Sequence, residues 1–279
     1  MSVLLPTFRR PEWLEESLLS LLCQTGVNIH LVLMDNGSQC DDTMSVMEHY
    51  LPMFYDHKFI RMACNSFDNI PIMDKHVIGD YVVRFTDDDR MLPGNLAMKC
   101  KVLESDPDIG ICFSSAMAID ENGTSLNILK GTWTKPDISL EEAFVTSYMV
   151  MSGTVMRRDA FRIPFWGHAI GNEWGQHMTI LDSGYSAHYI EEPLTELRLH
   201  PDSDTQKRGH DDHMFCDMHI EMWEKWAERV KPSLSTWEDC ASIYYMALAA
   251  KHKGQFCGAY LDDMGRLLSL VAKQKKPGV

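Results

Sequence analysis

Short apolar runs alternate with segments of helical periodicity through the first half of the chain. Most of the apolar runs end in turn residues, such as Pro6 and Thr7 after the first run. The predicted strands span residues 2–5, 29–34, 58–63, 81–85 and 109–114, and the predicted helices span 11–23, 41–50 and 95–103. Because strands and helices alternate, the pattern predicts an α/β fold with a mostly parallel, doubly wound sheet. Asn122 and Gly123 predict the turn of a hairpin over residues 116–128.

The second half of the chain is less regular and ends in helices. Ser139 and Glu142 match a capping box at the start of a helix predicted over residues 140–148. The further predicted elements are a strand at 149–156, a helix at 173–181, one or two strands at 185–199 broken by Pro193, and helices at 211–230, 237–253 and 256–272. The change to an all-helical pattern predicts a domain at residues 1–205 and a C-terminal helical extension at 206–279.

Charge and composition limit the partners that the chain can have. The 279 residues carry a formal charge of −14, which argues against broad nucleic-acid binding because such surfaces need clustered Lys and Arg. The apolar run at the start is too short for a membrane span or a signal peptide, so we expect a cytoplasmic protein. The eight cysteines are dispersed without a CxxC pair, which is typical of free, reduced thiols.

Three consecutive aspartates, Asp87, Asp88 and Asp89, directly follow the apolar run at 81–85. Adjacent carboxylates repel each other by about 4 kcal/mol per pair when the effective dielectric constant is near 20. A divalent cation removes this repulsion, and Mg²⁺ or Mn²⁺ uses one or two protein carboxylates together with substrate phosphates and water. Ligands also bind at the carboxyl ends of strands in open α/β sheets. The aspartates therefore predict a metal site, and the alternative is a solvated acidic turn that caps the helix after Pro93.

Six motifs in a fixed order resemble the family 2 glycosyltransferases of GT-A fold. They are PTFRRPEWLEESLLSLLCQT, VLMDNGS, TDDD, SGTVMRRDAF, GNEW and LRLH, and they cover about the first two hundred residues. The resemblance implies a Rossmann-like, mostly parallel central sheet flanked by helices. It also implies a nucleotide-sugar donor, a divalent metal, and inversion at the anomeric carbon. On this basis we expect Mn²⁺ or Mg²⁺ as cofactor, a UDP-sugar as donor, and an acceptor that the sequence does not name.

The resemblance assigns donor-binding roles to residues near the ends of the first strands. Pro6 and Thr7 match the positions whose backbone pairs with the nucleotide base, and Asp35 matches a carboxylate that accepts from the base N–H or the ribose. For Asp35, a plain surface turn is an equally good interpretation of the DNGS sequence. Arg9 and Lys75 are candidates for phosphate contact, although most single basic residues are merely solvated.

Further roles follow from the same resemblance. Asp87 matches the carboxylate on the ribose side, and Asp88 and Asp89 match the metal position, with Asp89 as the first choice. Strand alternation predicts that Asp87 and Asp89 lie on one face and Asp88 on the other. His200 resembles the late histidine that reaches the metal or the diphosphate. Glu173 is the candidate general base, although Asn172-Glu173-Trp174 departs from the usual Glu-Asp pair, and an acid in a first helical turn also simply offsets the helix dipole.

Two segments near the C-terminus are open to more than one interpretation. Residues 201–208 form either a lid over the donor or a linker. The residues His210, His213, Cys216 and His219 recur every third position, so they drift around a helix and cannot all bind one ion; an amphipathic helix is the simpler interpretation. The aromatic and Met-rich C-terminal helices are typical of a core, with an acceptor groove or a homodimer surface as the alternatives.

Two other function classes compete with a glycosyltransferase. A nucleotidyltransferase shares an α/β base-binding half and an acidic metal site, but it usually has a Gly-rich loop with Lys or Arg after its first strand. The sequence PTFRRPEW has no glycine in that position, which counts against this alternative. A non-catalytic sugar-nucleotide-binding protein on the same fold is the second alternative, because a fold alone does not define an activity.

Overall fold

The computed structural model describes residues 1–38, 41–130, 136–145, 152–165, 172–201 and 212–251. The strands are β1 (Ser2–Thr7), β2 (His30–Asp35), β3 (Asp56–Arg61), β4 (Tyr81–Arg84), β5 (Arg90–Met91), β6 (Ile109–Ile119), β7 (Ser125–Leu129), β8 (Asp137–Ile138), β9 (Val155–Arg157) and β10 (Ser186–Arg198). The helices are α1 (Pro11–Leu22), α2 (Asp41–Tyr50), α3 (Ile70–Asp74), α4 (Asn95–Ser105), α5 (Leu140–Val145), α6 (Arg158–Phe161), α7 (Asn172–Asp182), α8 (Asp212–Val230) and α9 (Leu234–Lys251). Two short 3₁₀ helices span Leu51–Met53 and Phe67–Asn69.

All of these strands join one sheet within the described residues. Its order is β3-β2-β1-β4-β9-β6-β10-β5, with β7 paired to β6 and β8 paired to β10. The pairs β1–β2, β1–β4, β2–β3 and β6–β10 are parallel, which confirms the predicted parallel arrangement of the first four strands. The short strand β9 is antiparallel to both β4 and β6, and it separates these two strands.

The first βα unit shows why these residues form these elements. Pro11 occupies the first helical position of α1, where its missing N–H costs no hydrogen bond and its fixed φ favours the helix. Leu14, Leu18 and Leu21 recur at helical spacing and are fully buried. The strand β1 is buried along almost its whole length, as expected for a central strand covered on both faces.

Several later elements differ in extent from the sequence prediction. The strand β6 continues to Ile119 and pairs antiparallel with β7, which confirms the predicted hairpin with its turn at Asn122 and Gly123. The segment 185–199 forms one strand, β10, rather than two, and the register shifts on both sides of Pro193 absorb the missing N–H there. The predicted helix at 256–272 lies outside the described residues.

The chain divides into two compact units. The first unit comprises Met1–Ile138, Met149–Phe165 and Thr179–Leu199, and it contains the sheet. The second comprises Ser139–Tyr148, Trp166–Met178 and His200–Val279. The predicted domain boundary between residues 205 and 206 lies among residues that the structure does not describe, so the two predicted domains stay a prediction.

The described helices of the second unit pack through buried tryptophans. Trp174 Nε1 donates to Ala143 O at 2.7 Å, and Trp223 Nε1 donates to Phe144 O at 3.1 Å. The ring of Phe144 meets the ring of Trp237 edge to face at 5.6 Å between centroids. Trp223, Trp226 and Trp237 are all buried, so these three aromatic residues form a core, as the simpler interpretation of the sequence predicts.

The capping box at the start of α5 is confirmed. Glu142 Oε2 accepts from the backbone N–H of Ser139 at 2.9 Å, and Ser139 Oγ accepts from the backbone N–H of Glu142 at 3.2 Å. The two side chains thus satisfy N–H groups that have no partner within the helix itself.

Candidate active site

The candidate site in the first unit lies where β1, β2 and β4 end. Thr7 and Asp35 are paired in the register of β1 and β2, so their side chains project from neighbouring strand ends. The strand β4 ends at Arg84, and the chain then passes through Thr86 into the aspartates. Asp87, Asp88 and Asp89 therefore lie in a turn, and the prediction that strand alternation separates Asp88 from its two neighbours is wrong.

Asp87 is buried and is held by donors from the end of β1. Its Oδ2 accepts from the hydroxyl of Thr7 at 2.7 Å and from the backbone N–H of Phe8 at 3.2 Å. Its Oδ1 accepts from Arg10 Nη1 at 3.1 Å. Burial and the neighbouring Asp88 charge raise the pKa of Asp87 to about 6, although Arg10 and the Thr7 hydroxyl oppose the shift.

The carboxylate of Asp88 shares a cation with Asp87. Its Oδ2 accepts from Arg10 Nη1 at 2.9 Å, so one guanidinium nitrogen contacts both carboxylates. The backbone carbonyl of Asp88 accepts from Arg198 Nε at 2.8 Å. Asp87 and Asp88 therefore face the same partner, which is the physical reason that the alternation prediction fails.

Asp89 turns towards β10 and the Thr86 side chain. Its Oδ1 accepts from the backbone N–H of Arg198 at 2.9 Å, and its Oδ2 accepts from the hydroxyl of Thr86 at 2.5 Å. The Thr86 hydroxyl also lies 3.1 Å from Ser152 Oγ. Burial and the Asp88 charge raise the pKa of Asp89 to about 7.

Asp35 combines complete burial with one oxygen that no hydrogen bond satisfies. Its Oδ1 accepts from the backbone N–H of Ser38 at 2.7 Å, and its Oδ2 has no hydrogen-bond partner among the described residues. The Nε of Arg61 lies 3.5 Å from Oδ2, as an ion pair rather than a hydrogen bond. A buried acceptor without a donor is costly, so Oδ2 is well suited to accept from a ligand N–H or O–H.

The turn after β2 packs tightly against the loop after β3. Asn36 Nδ2 donates to Asn65 Oδ1 at 2.8 Å, and Asn36 Oδ1 accepts from Asn69 Nδ2 at 2.7 Å. Gly37 has a φ of +91°, and a Cβ there would lie 2.5 Å from the backbone of Cys64. Only glycine meets both demands, so the DNGS sequence is a packed turn beside Asp35 rather than a plain surface turn.

A family model described as "Glycosyl transferase family 2" matches residues 2–163, which is more than half of the chain. The chain belongs to glycosyl transferase family 2. It is therefore a glycosyltransferase, and the matched region contains β1, β2, β4 and the whole Asp87 to Asp89 turn. No curated protein sequence matches the chain.

The fold of this family 2 glycosyltransferase is that of known GT-A enzymes. The structure of Staphylococcus aureus TarS 1-349 aligns with a TM-score of 0.69 at 13% identity, covering 98% of this chain and 81% of that chain. TarS 1-349 in complex with UDP-GlcNAc aligns with a TM-score of 0.67 at 14% identity, covering 98% and 80% of the two chains. The Pyrobaculum calidifontis mannosyltransferase PcManGT, in complex with GDP-Man and Mn²⁺, aligns with a TM-score of 0.60 at 14% identity, covering 98% of this chain and 86% of that chain. The predicted GT-A fold is thereby confirmed.

The remaining donor-binding candidates of this glycosyltransferase lie in the first unit. Thr7 is buried, and its carbonyl oxygen accepts from the backbone N–H of Asn36 at 2.9 Å, while Pro6 is half-buried. Arg9 Nε donates to Ser38 O at 3.2 Å. Lys75 is exposed at the end of α3. The phosphate contacts of Arg9 and Lys75 stay predictions.

Two predicted residues, Glu173 and His200, belong to the second unit. Glu173 is half-buried in the first turn of α7. His200 is buried directly after β10. Their catalytic and metal-binding roles stay predictions, as does a homodimer through the C-terminal helices.

The C-terminal histidines fall partly outside the described residues. His210 is among the undescribed residues, as are 202–208 of the predicted lid or linker segment. His213 and Cys216 lie on α8. His219, on the same helix, is buried between the rings of Trp174 and Trp223, with centroids 5.0 Å and 5.5 Å away, which is typical of a core histidine. Within the described residues, no helix has the length and apolar character to cross a membrane, and the cytoplasmic location stays a prediction.

The aspartate turn fits a divalent cation that takes most of its ligands from elsewhere. In the described part of the chain, no group of three or more His, Cys, Asp or Glu side chains is placed to hold a metal ion. Burial and the Asp88 charge raise the pKa of both Asp87 and Asp89, so Arg10 does not fully compensate the carboxylates of the turn. Mg²⁺ and Mn²⁺ suit such a site, because they bind one or two carboxylates and complete their shell with phosphates and water.

Sequence reasoning missed two arginines of this site. Arg10 contacts Asp87 and Asp88, whereas the residue predicted for phosphate contact is its neighbour Arg9. Arg198 is fully buried and donates to the carbonyls of Asp88 and Glu121 and to the carboxylate of Glu16. The LRLH motif contains Arg198 two residues before His200, and this position could have indicated a role for Arg198 in the site.

Proposed function

We propose that this glycosyltransferase is a metal-dependent, inverting enzyme that moves a sugar from a nucleotide-sugar donor to an acceptor hydroxyl. The observation that carries the proposal is the buried Asp87 to Asp89 turn beside the ends of β1 and β2, in a chain of family 2. The solved relatives bind UDP-GlcNAc, in TarS, and GDP-Man with Mn²⁺, in PcManGT. A nucleotide sugar is accordingly the donor class that we assign to this chain, with a UDP-sugar as the first choice.

The nucleotide end of the donor binds at the first two strands in this proposal. The buried Oδ2 of Asp35 accepts from the base N–H or the ribose hydroxyl, which gives this orphaned acceptor a donor. Pro6 and Thr7 line the base, and the Thr7 hydroxyl also fixes Asp87, the carboxylate assigned to the ribose side. Arg9 and Lys75 remain candidates for the phosphates, and Arg10 joins them because its guanidinium is partly exposed beside the aspartates.

The leaving group is a nucleoside diphosphate, which develops negative charge as the sugar leaves. Asp88, Asp89 and His200 are the residues that we assign to Mn²⁺ or Mg²⁺, which would neutralise the developing charge when bound. Asp89 is positioned for this task by the hydroxyl of Thr86 and by the backbone N–H of Arg198. These contacts leave further lone pairs on each carboxylate oxygen, since an ionised carboxylate has about four acceptor sites.

Glu173 acts as the general base in this proposal. The acceptor oxygen forms a bond to the anomeric carbon while its proton passes to the Glu173 carboxylate. The bond from the anomeric carbon to the diphosphate oxygen breaks at the same time, and its electron pair stays on the diphosphate. Attack opposite to the leaving group inverts the configuration at the anomeric carbon.

The donor class is tested by the melting temperature in the presence of UDP-, GDP-, dTDP- and CDP-sugars, each with and without Mn²⁺. A ligand at 100 times its Kd stabilises the folded state by about 2.7 kcal/mol, so one nucleotide should raise the melting temperature measurably. We expect the UDP-sugars to give the largest shift, and to give it only with Mn²⁺. If no sugar nucleotide shifts the melting temperature, the proposed donor site is wrong.

Turnover separates an enzyme from a sugar-nucleotide-binding protein. We expect slow Mn²⁺-dependent hydrolysis of the donor, with Glu173→Gln lowering kcat by about 10²- to 10⁴-fold while the donor Kd changes little. The amide keeps the size of the side chain and removes its basicity. Equal rates for Glu173→Gln and the unmodified chain would exclude Glu173 as the base, and donor binding without turnover would favour the binding protein. A nucleotidyltransferase would instead release inorganic diphosphate from a nucleoside triphosphate and a sugar 1-phosphate.

A further inference from the structure

A single guanidinium nitrogen contacts the two aspartates that face the same side of the turn. Arg10 Nη1 lies 3.1 Å from Asp87 Oδ1 and 2.9 Å from Asp88 Oδ2. A nitrogen in that position bridges the two carboxylates and satisfies both with one positive charge. A divalent cation on Asp88 would therefore share that carboxylate with Arg10 and lie directly beside its positive charge.

We propose that Arg10 makes the binding of a divalent cation at the aspartate turn depend on the diphosphate of the donor. This inference rests on the proposed function, since it takes the donor to be a sugar nucleotide. With Arg10 on Asp87 and Asp88, an incoming cation meets a like charge at contact distance, and its affinity is low. A diphosphate brings several negative charges, which compensate the cation and give the guanidinium phosphate oxygens to bind.

The position of Arg10 allows such an exchange of partners. Arg10 immediately precedes α1, its guanidinium carbon lies 5.8 Å from the ring centroid of Trp13, and 23% of its side chain is exposed. Arg198 stacks on the same Trp13 ring at 5.5 Å, but its side chain is fully buried. Arg198 also donates to Glu16 and to backbone carbonyls. Of these two guanidinium groups on Trp13, Arg10 is the one that solvent and a donor phosphate can reach.

The test measures Mn²⁺ affinity directly by the electron paramagnetic resonance signal of free Mn²⁺, without any turnover. The chain, Arg10→Met and the control Arg162→Met are titrated with Mn²⁺ alone at pH 8, and again with saturating UDP after correction for Mn²⁺ held by UDP itself. Arg162→Met removes the same charge from an exposed arginine of the first unit, whose Nη2 donates to Val77 O rather than to an aspartate. Methionine keeps an unbranched side chain of similar length while removing the charge.

We expect Arg10→Met to bind Mn²⁺ without nucleotide about tenfold more tightly than the unmodified chain, because a like charge has left the site. Arg162→Met should stay within about twofold of the unmodified chain, because screening weakens a charge that does not contact the aspartates. With saturating UDP, Arg10→Met should bind Mn²⁺ less than about threefold more tightly than the unmodified chain. UDP should therefore raise the Mn²⁺ affinity of Arg10→Met by a smaller factor than it raises that of the unmodified chain.

Three results would overturn the inference. The first is an Arg10→Met affinity for Mn²⁺ alone that is no tighter than that of the unmodified chain. The second is an equal gain in affinity in Arg162→Met, and the third is an Mn²⁺ affinity of the unmodified chain that UDP does not change. If Arg10→Met does not fold, Arg10→Gln replaces it with the same expected gain. The melting-temperature panel decides the donor class separately, so a failed donor site and a failed role of Arg10 give different results.

Discussion

Lys99 is a fully buried amine in the first unit, on α4. Its Nζ donates to Gly153 O at 2.8 Å, and the structure gives the side chain an exposure of 1%. Burial lowers the pKa of Lys99 to about 7, and only the neighbouring Cys112 acts in the opposite direction. Gly153 follows Ser152, whose hydroxyl contacts Thr86 beside Asp89, so Lys99 holds the segment that supports the aspartate turn.

The Lys99 amine predicts a pH dependence of stability. The unfolded chain holds a proton on this lysine up to a pH near 10.5, whereas the folded chain releases it near pH 7. Because the unfolded state binds more protons between these values, the free energy of unfolding rises with pH in that window, by up to about 1.4 kcal/mol per pH unit. Lys99→Met has no amine at this position, so it lacks this contribution to the pH dependence of unfolding. The stability of the unmodified chain relative to Lys99→Met should therefore increase from pH 7.5 to pH 9, as measured by urea denaturation.

Lys101→Met is the matched control on the same helix. Lys101 is exposed, so its replacement should leave the pH dependence of unfolding unchanged. A Lys99→Met variant with the same pH dependence as Lys101→Met would show that Lys99 stays protonated in the folded chain.

Among individual residues, the sequence singles out the aspartates and Asp35 as candidates, but it does not reveal the side chains that contact them. Arg9 and Arg10 are adjacent and identical in type, so no pattern distinguishes them. The positive φ of Arg9, +54°, turns the chain so that Arg9 contacts Ser38 and Arg10 contacts Asp87 and Asp88. A backbone conformation of this kind depends on tertiary packing, which a single sequence does not reveal.

Arg198 connects four chain segments of the first unit. From β10 its guanidinium donates to Asp88 O in the aspartate turn, to Glu121 O in the β6–β7 turn, and to the carboxylate of Glu16 on α1. The side chain is fully buried, whereas Glu16 is 38% exposed. One buried cation thus satisfies acceptors from elements that are far apart in the sequence.

Replacing Arg198 by Met should destabilise the fold by roughly 3 kcal/mol, at the lower end of the range for a broken buried ion pair because water still reaches Glu16. The carbonyls of Asp88 and Glu121 would lose their donor, and the Trp13 ring would lose the guanidinium that lies over it. The free energy of unfolding from chemical denaturation measures the effect. Lys130→Met is the control, because its ion pair with Glu191 is exposed and should contribute little. Equal stability of the two variants would contradict the assigned role of Arg198.

The elements themselves were predictable to different degrees. Strong local signals, such as the Ser139 capping box and the Pro11 helix start, predicted α5 and α1 because the physics of a helix end is local. The sequence did not reveal the place of β9 between β4 and β6, since this antiparallel pairing joins residues that lie between 43 and 76 positions apart in the sequence. The two-residue strands β5 and β8 are too short to show any period.

At the scale of the whole molecule, acidic residues outnumber basic ones. The chain has 40 Asp and Glu against 26 Lys and Arg, which gives the formal charge of −14. Part of this excess is concentrated in the Asp87 to Asp89 turn, where burial adds to the repulsion. The remaining excess produces a net self-repulsion in the folded chain, and unfolding relieves it by spreading the charges apart.

Salt should therefore stabilise the fold. Raising NaCl from about 20 mM to about 300 mM shortens the Debye length from roughly 20 Å to roughly 6 Å, which screens the repulsion between exposed acidic groups. We expect the melting temperature to rise over this range. The matched variant is Glu104→Lys with Glu224→Lys, two exposed acids on α4 and α8 whose reversal makes the formal charge less negative. It should show a smaller rise, because less repulsion remains to be screened. A melting temperature that falls with salt, or an equal rise in the variant, would mean that local ion pairs outweigh the net charge.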